Sequence, residues 1–136
     1  MINQKILKIA SYTNNEGLKN KFTHKSFVKN SLCGDFIKTE FIANKSIIKS
    51  MRYETESCIL CEASASLFSR KIKNYKILEL TEEIKKLKKF KKNGICKFPR
   101  KLSEFSELIN TNNKNRFNCV ILPMEAFLKA FKINLW

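Results

Sequence analysis

Two neighbouring stretches of the chain alternate apolar and polar residues, which is the pattern of half-buried strands. They cover Phe36–Ile42 and Ile47–Glu54, with a hairpin turn at 44–45 between them. The side chains expected to face inward are Ile37, Thr39, Phe41, Ile47, Met51 and Tyr53. Lys38 and Glu40 are expected to face outward, and Lys49 interrupts the inward face of the return strand. With an extended piece over 25–29, the pattern predicts a small three-stranded antiparallel sheet.

Other stretches repeat apolar residues at helical spacing. A stripe over 2–12 predicts a first helix, and a polar segment with Gly17 follows it as a loop. Ser57 is the expected N-cap of a second helix over 58–73. A third helix is expected over 77–91, with its apolar side formed by Leu80, Ile84 and Leu87.

The C-terminal third is expected to contain two more helices. A break over 93–100 precedes a short helix at Leu102–Ile109, and a polar loop covers 110–115. A last helix then runs to Lys132, with Pro123 in its first turn and Cys119 at or just before its start. These elements predict an α+β fold, a single domain over 1–136 with the helices packed on one face of the sheet.

The composition fits one globular domain but leaves the meaning of its charge open. Of 136 residues 43% are hydrophobic, and 27 Lys+Arg outnumber 12 Asp+Glu, for a net charge of +15. Such a charge is typical of proteins that bind nucleic acid. An A/T-rich coding bias towards Lys, Asn, Ile and Phe is the alternative explanation, and it is the one we favour. The same choice applies to a lysine row on the third helix, which is either a solvated face or a docking surface for an acidic protein or nucleic acid: Lys85, Lys86, Lys88, Lys89, Lys91 and Lys92.

Five cysteines are present, an odd number that does not suggest a disulfide framework. The start of the chain, MINQKILKIA, is interrupted by Lys5 and Lys8 and does not resemble a secretory signal. No run of about 18 apolar residues predicts a membrane span. We therefore expect a cytoplasmic protein without membrane contact, in which spaced cysteines indicate metal or redox chemistry.

Asp35 is the only aspartate in the chain, and Cys33 precedes it across Gly34. A glycine between a thiol and a carboxylate allows a tight bend that can direct both side chains at one ion. Cys58 and Cys119, each expected near a helix start, could complete a Cys₃Asp set, which suits Zn²⁺ or the iron of a cluster. The spacing alone leaves a second interpretation open, namely three buried free cysteines and a turn aspartate.

Three blocks of the sequence carry a family resemblance. They are N-S-L-C-G-D, S-C-I-L-C-E-A-S-A-S and R-F-N-C-V-I-L-P-M-E-A-F, in that order. They resemble the signature blocks of the IscU/SufU/NifU N-terminal family of iron–sulfur cluster assembly proteins. The resemblance implies a SufE/NifU-like fold and a metal or cluster site formed by Cys33, Asp35, Cys58 and Cys119. It also implies a cysteine desulfurase and downstream iron–sulfur assembly proteins as partners.

The resemblance is greatest to the SufU branch. The segment from Cys58 to Cys119 is long, as in SufU, and Asn118 stands where IscU-type proteins have a histidine ligand. Arg116 matches an arginine of the SufU block, and the chaperone-binding L-P-P-V-K segment of IscU is absent, so no dedicated Hsp70 partner is expected. The chain departs from the family where a proline and two glycines are replaced by Ser31, Thr55 and Ser57.

The function implied is that of an assembly protein rather than an enzyme. A thiolate of the site would attack the terminal sulfur of the desulfurase persulfide. By resemblance to SufU the acceptor is Cys33, and by resemblance to IscU it is Cys119. A zinc-bound sulfur carrier and a scaffold for nascent clusters both remain open.

The remaining candidates are expected to be structural. Cys61, one helical turn after Cys58, is a core residue, a spare ligand or a resolving thiol, with core favoured. Cys96 is expected to be an incidental thiol, and His24 a surface or packing residue. An alternative function, a small basic nucleic-acid-binding protein with a structural zinc, is motivated by the lysine row, but no recognition motif accompanies it.

Overall fold

The computed structural model describes residues 3–30, 34–93 and 98–133. The strands are β1 (His24–Lys29), β2 (Phe36–Asn44) and β3 (Ile47–Glu56). The α-helices are α1 (Gln4–Ala10), α2 (Ile59–Lys71), α3 (Ile77–Asn93), α4 (Phe117–Val120) and α5 (Leu122–Ala130). Two 3₁₀ helices, Arg100–Glu107 and Thr111–Arg116, lie between α3 and α4. The predicted α+β architecture is confirmed.

The three strands form an antiparallel sheet in the order β1-β2-β3. The turn between β2 and β3 lies at Lys45 and Ser46, one residue later than expected, and the φ angles of these residues are 51° and 70°. Two consecutive positive φ values are typical of the type I′ turn, whose twist matches that of the flanking strands. Neither residue favours this conformation, because both carry a Cβ.

The hairpin can therefore be stabilised by turn residues that accept a positive φ. We expect the double variant Lys45→Asn and Ser46→Gly to raise the free energy of unfolding by about 1 kcal/mol. Ser46 contributes its carbonyl oxygen to Ile77 N at 2.8 Å, and a glycine keeps that bond. Urea denaturation would measure the gain. Ser46→Ala, which retains a Cβ, should give none, and an equal gain from that control would contradict the explanation.

A β-bulge in β3 corrects the expected inward face of that strand. Ile42 pairs with Ser50, but Ala43 pairs with Ile48, so Lys49 is an extra residue on β3. Because a bulge reverses which residues face the core, Ile48 is fully buried, whereas Ile47 is only partly buried and Lys49 is exposed. The prediction that Ile47 faces inward was wrong, and Lys49 does not interrupt the core.

The helices cover one face of the sheet and meet it through aromatic rings. Phe127 of α5 is fully buried, with its ring centroid 5.9 Å from that of Phe41 on β2 and 6.3 Å from that of Phe68 on α2. Both pairs are edge-to-face, a favoured arrangement of aromatic rings. On α3 the expected apolar side is buried, as predicted: Leu80, Ile84 and Leu87.

Glu40 does not lie in solvent as expected. Its carboxylate is buried on the other side of the sheet, where Oε1 accepts hydrogen bonds from Lys19 N at 2.8 Å and Asn20 N at 3.0 Å. The segment before β1 thus covers part of the outer face. These two backbone hydrogen bonds replace hydrogen bonds to water that the carboxylate loses on burial.

The C-terminal third differs from its prediction in two places. The expected loop at 110–115 is instead a 3₁₀ helix, whose first turn is capped by Asn110 as its Oδ1 accepts from Asn113 N at 3.2 Å. The expected last helix is two helices, α4 and α5, which meet at Ile121. Pro123 has no N–H to donate to the carbonyl of Cys119, four residues earlier, which favours a break at this point.

None of the helices in the described ranges has the length and apolar character needed to cross a bilayer.

Candidate metal centre

Three of the four predicted site residues meet at one end of the molecule. The donor atoms of Asp35, Cys58 and Cys119 all lie within 4.8 Å of one another. Among the described residues, this is the one cluster found with three such donors. The fourth residue, Cys33, lies outside the described residues, as does Cys96.

Asp35 directly precedes β2 and is held by backbone bonds that involve Asn30, the residue after β1. Gly34 has a φ of +76°, a value that favours glycine over residues with a Cβ. Its N–H donates to Asn30 O at 2.8 Å, while Asn30 N donates to Asp35 O at 2.7 Å. These bonds close the loop at its base, so the carboxylate is presented from the first position before β2.

Cys58 is presented by the start of α2. It is the N-cap residue, with extended backbone angles, and its N–H donates to Asp35 Oδ2 at 3.3 Å. The cap therefore lies one residue later than the predicted cap at Ser57, and the helix begins at Ile59. The hydroxyl of Ser57 lies 2.9 Å from Thr55 Oγ1. The cap position at the start of α2 thus belongs to a potential ligand.

Cys119 is the third residue of α4 and is buried. It therefore lies inside a short helix. The sequence had predicted a position at or just before a helix start, and that prediction was wrong. Ser64 of α2 donates from its Oγ to the carbonyl oxygen of Val120, the residue after Cys119. This buried bond fixes α4 on α2, which brings the third donor to the other two.

The site lies at the N-terminal end of α2. The first turn of α2 carries free backbone N–H groups and the positive end of the helix dipole. The Cys58 N–H is directed at the carboxylate of Asp35, so one of these groups already binds an anion. Thiolates and carboxylates are the ionised forms that bind metals.

Cys61 lies next to this cluster but in a different environment. Burial raises the pKa of its thiol to about 12, and the nearby charges of Cys58 and Asp35 act in the same direction. Hydrogen bonds from Ser57 and Thr55 act against them. A thiol of this kind is neutral near pH 7, and its full burial agrees with the favoured role as a core residue.

From the sequence, Thr55 and Ser57 were departures from the family pattern, and Ser57 was also the expected N-cap of the second helix. In the structure the two hydroxyls lie 2.9 Å apart, and Thr55 Oγ1 donates to the carbonyl oxygen of Phe36, the residue after Asp35. The signal that could have found them is their chemistry: two hydroxyl side chains at alternate positions directly before a candidate ligand.

The other singled-out residues take structural positions. The His24 ring stacks on Phe131 with a centroid separation of 4.1 Å, which agrees with a packing role. In the lysine row, Lys88 Nζ lies 2.8 Å from Glu125 Oε1 and so joins α3 to α5. Three of its other members are exposed: Lys85, Lys86 and Lys89.

Comparison with known proteins assigns the chain to a family. A family model described as the NifU-like N terminal domain matches residues 1–112. The chain belongs to the NifU-like N-terminal domain family. The match includes Cys33, Asp35 and Cys58, and it ends before Cys119. No curated protein matches the chain in sequence.

Solved structures share the NifU-like fold. The N-terminal part of a nitrogen-fixing NifU-like protein from Brucella abortus has a TM-score of 0.86 at 18% identity, covering 96% of this chain and 91% of that one. A candidate iron–sulfur cluster assembly scaffold protein for the SUF system, from thermophilic Fervidobacterium islandicum, has a TM-score of 0.83 at 20% identity, with 95% of each chain covered. A hypothetical protein has a TM-score of 0.73 at 16% identity, covering 94% and 96%.

Membership in the NifU-like N-terminal domain family makes this chain an iron–sulfur cluster assembly protein from a family of scaffold proteins, rather than a conventional enzyme. The family match therefore favours this function over the nucleic-acid-binding alternative.

Proposed function

We propose that this protein accepts sulfur from a cysteine desulfurase and passes it on, or assembles an iron–sulfur cluster, at a Cys₃Asp site. Its ligands are Cys33, Asp35, Cys58 and Cys119. The observation that supports this most is the convergence of three donor atoms within 4.8 Å, from segments far apart in the chain. Cys33 is included because it precedes Asp35 by two residues. We further propose that residues 1–136 act as a single domain.

The donor set suits the proposed cargo. Thiolates are preferred ligands of zinc and of iron–sulfur clusters, and four ligands complete a tetrahedral site. A carboxylate is a harder ligand than a thiolate, so Asp35 would be the ligand most readily exchanged. One exchangeable ligand among four fits a site that must release what it binds.

Sulfur transfer at this site requires only a thiolate and a persulfide. The thiolate attacks the terminal sulfur of the desulfurase persulfide and forms a new S–S bond. The old S–S bond breaks, and the electron pair leaves with the desulfurase cysteine as a thiolate. The terminal sulfur keeps its proton, so the protein now carries the persulfide. Cys33 and Cys119 are the two candidate acceptors.

We place the protein in the SufU-like branch, on its long segment between Cys58 and Cys119 and on Asn118. In the structure that segment includes α3 and both 3₁₀ helices. This placement favours a zinc-containing sulfur carrier over a cluster scaffold. The proposed partners are a cysteine desulfurase and downstream iron–sulfur proteins, in the cytoplasm.

Metal analysis of protein purified aerobically and anaerobically tests this proposal. We expect one zinc per chain under both conditions and no visible absorbance, as a carrier requires. Iron and sulfide with visible absorbance in the anaerobic sample would identify a scaffold instead. A triple variant, Asp35→Ala, Cys58→Ala and Cys119→Ala, is the control and should hold no metal. Absence of metal from the wild type, or its retention by the triple variant, would contradict the site.

A further inference from the structure

A pair of hydroxyl side chains connects the two segments that present Asp35 and Cys58. Thr55 Oγ1 donates to the carbonyl oxygen of Phe36 at 2.6 Å, and it lies 2.9 Å from Ser57 Oγ. Phe36 directly follows Asp35, and Ser57 directly precedes Cys58. The pair therefore links the residue after Asp35 to the residue before Cys58.

These contacts restrain the short connection between β3 and α2. The strand ends at Glu56 and the helix begins at Ile59, so only Ser57 and Cys58 lie between them. The Cys58 side chain makes no capping hydrogen bond that would fix it on the helix. The Cys58 backbone donates to Asp35 Oδ2 and accepts from Glu62 N at 3.0 Å, and the bonded hydroxyls of Thr55 and Ser57 lie in the segment directly before it.

Among the described residues, the contacts of both hydroxyls lie at this end of the sheet. Neither caps α2, and both residues are only partly buried. Strand pairing between Phe36 and Glu56 already joins β2 to β3 at this end of the sheet. The additional bonds act on the geometry of the site, where the two hydroxyls also contact Cys61.

We infer that Thr55 and Ser57 are positioning residues that hold Cys58 against Asp35 and slow the exchange of the bound metal or cluster. This inference rests on the proposed function, because it concerns the release of that cargo. A metal leaves when its ligands dissociate one after another, and a ligand held in place rebinds before the next one leaves. Loss of a hydroxyl widens the range of Cys58 positions and favours release.

Zinc release from the loaded full-length protein to a chromogenic chelator tests the inference. We expect Thr55→Val and Ser57→Ala each to release zinc roughly three- to tenfold faster, the range that loss of one hydrogen bond supports. Thr55→Ser, which restores the hydroxyl, should release zinc at the wild-type rate. Matched controls are Thr81→Val and Ser66→Ala, because each removes a buried hydroxyl that donates to a backbone carbonyl away from the site, Ile77 O and Tyr12 O respectively.

The two hydroxyl-deleting site variants and the two controls should each lose some thermal stability, so only the release rate separates positioning from a general structural role. Unchanged release in both site variants, or equal acceleration in the controls, would overturn the inference. Alkylation of Cys58 in the metal-free protein, mapped by peptide mass spectrometry, is an independent measurement. It should be faster in the site variants than in the wild type and the controls. If the wild type binds neither zinc nor a cluster, the proposed function fails, and the alkylation rates alone decide whether Thr55 and Ser57 position Cys58.

Discussion

Cys58→Ala and Cys119→Ala proteins should be purified with almost no bound metal. Each change removes one thiolate from the proposed set of three thiolates and one carboxylate. The three remaining donors, with a water in the fourth position, hold zinc far less tightly. Cys33→Ala, which removes the third proposed sulfur ligand, should behave in the same way. Elemental analysis of metal per chain is the measurement.

The same series contains its own controls. Cys61→Ala and Cys96→Ala should retain metal close to the wild-type amount, because neither residue belongs to the proposed set. Asp35→Ala should cause partial loss or faster exchange, since a water can replace a carboxylate more easily than a thiolate. A Cys58→Ala protein with a full complement of metal would remove that residue from the site.

Phe127→Ala should lower the free energy of unfolding of the metal-free protein by about 3–5 kcal/mol. Phe127 is fully buried between the sheet and α2, and its ring also lies 5.0 Å from that of Phe131. Removal of the ring leaves a cavity between α5, the sheet and α2. These elements cannot close the cavity without being displaced from one another. Denaturant titration of the metal-free protein measures the loss without a contribution from bound metal.

Phe22→Ala is the matched control for that change, because its ring is 37% exposed and Lys25 Nζ lies 5.1 Å from its centroid. We expect this change to cost less than about 1 kcal/mol. Equal losses in the two variants would show that the aromatic contacts of Phe127 do not dominate the core.

The elements of this fold were predictable where a local pattern determines them. The alternation in β2 predicted Ile37, Thr39 and Phe41 as inward-facing, and the helical spacing of α3 predicted its buried side. The bulge at Lys49 was not predictable, because it depends on how β3 pairs with β2 rather than on the sequence of either strand. Pro123 indicated that the last helix could be broken near this residue. It did not indicate whether the break would lie before or after the proline.

The candidate site was predictable only through its family motifs. Spacing left the cysteines as either ligands or buried thiols, since nothing local indicates that Cys58 and Cys119 approach each other. The motif blocks assigned them to one site, and the structure brings both to Asp35. The exact cap of α2 was missed because Ser57, a favourable N-cap residue, contacts Thr55 instead.

Because the three donors come from separate elements, binding of a metal or cluster is thermodynamically linked to folding. A denatured chain does not hold Asp35, Cys58 and Cys119 together, so an ion that bridges them binds the native state alone. At a free concentration a thousand times its dissociation constant, such an ion would add about 4 kcal/mol to the stability of the protein. The melting temperature should therefore report how fully the protein is loaded, and each delivery of cargo would return it to a less heat-resistant form.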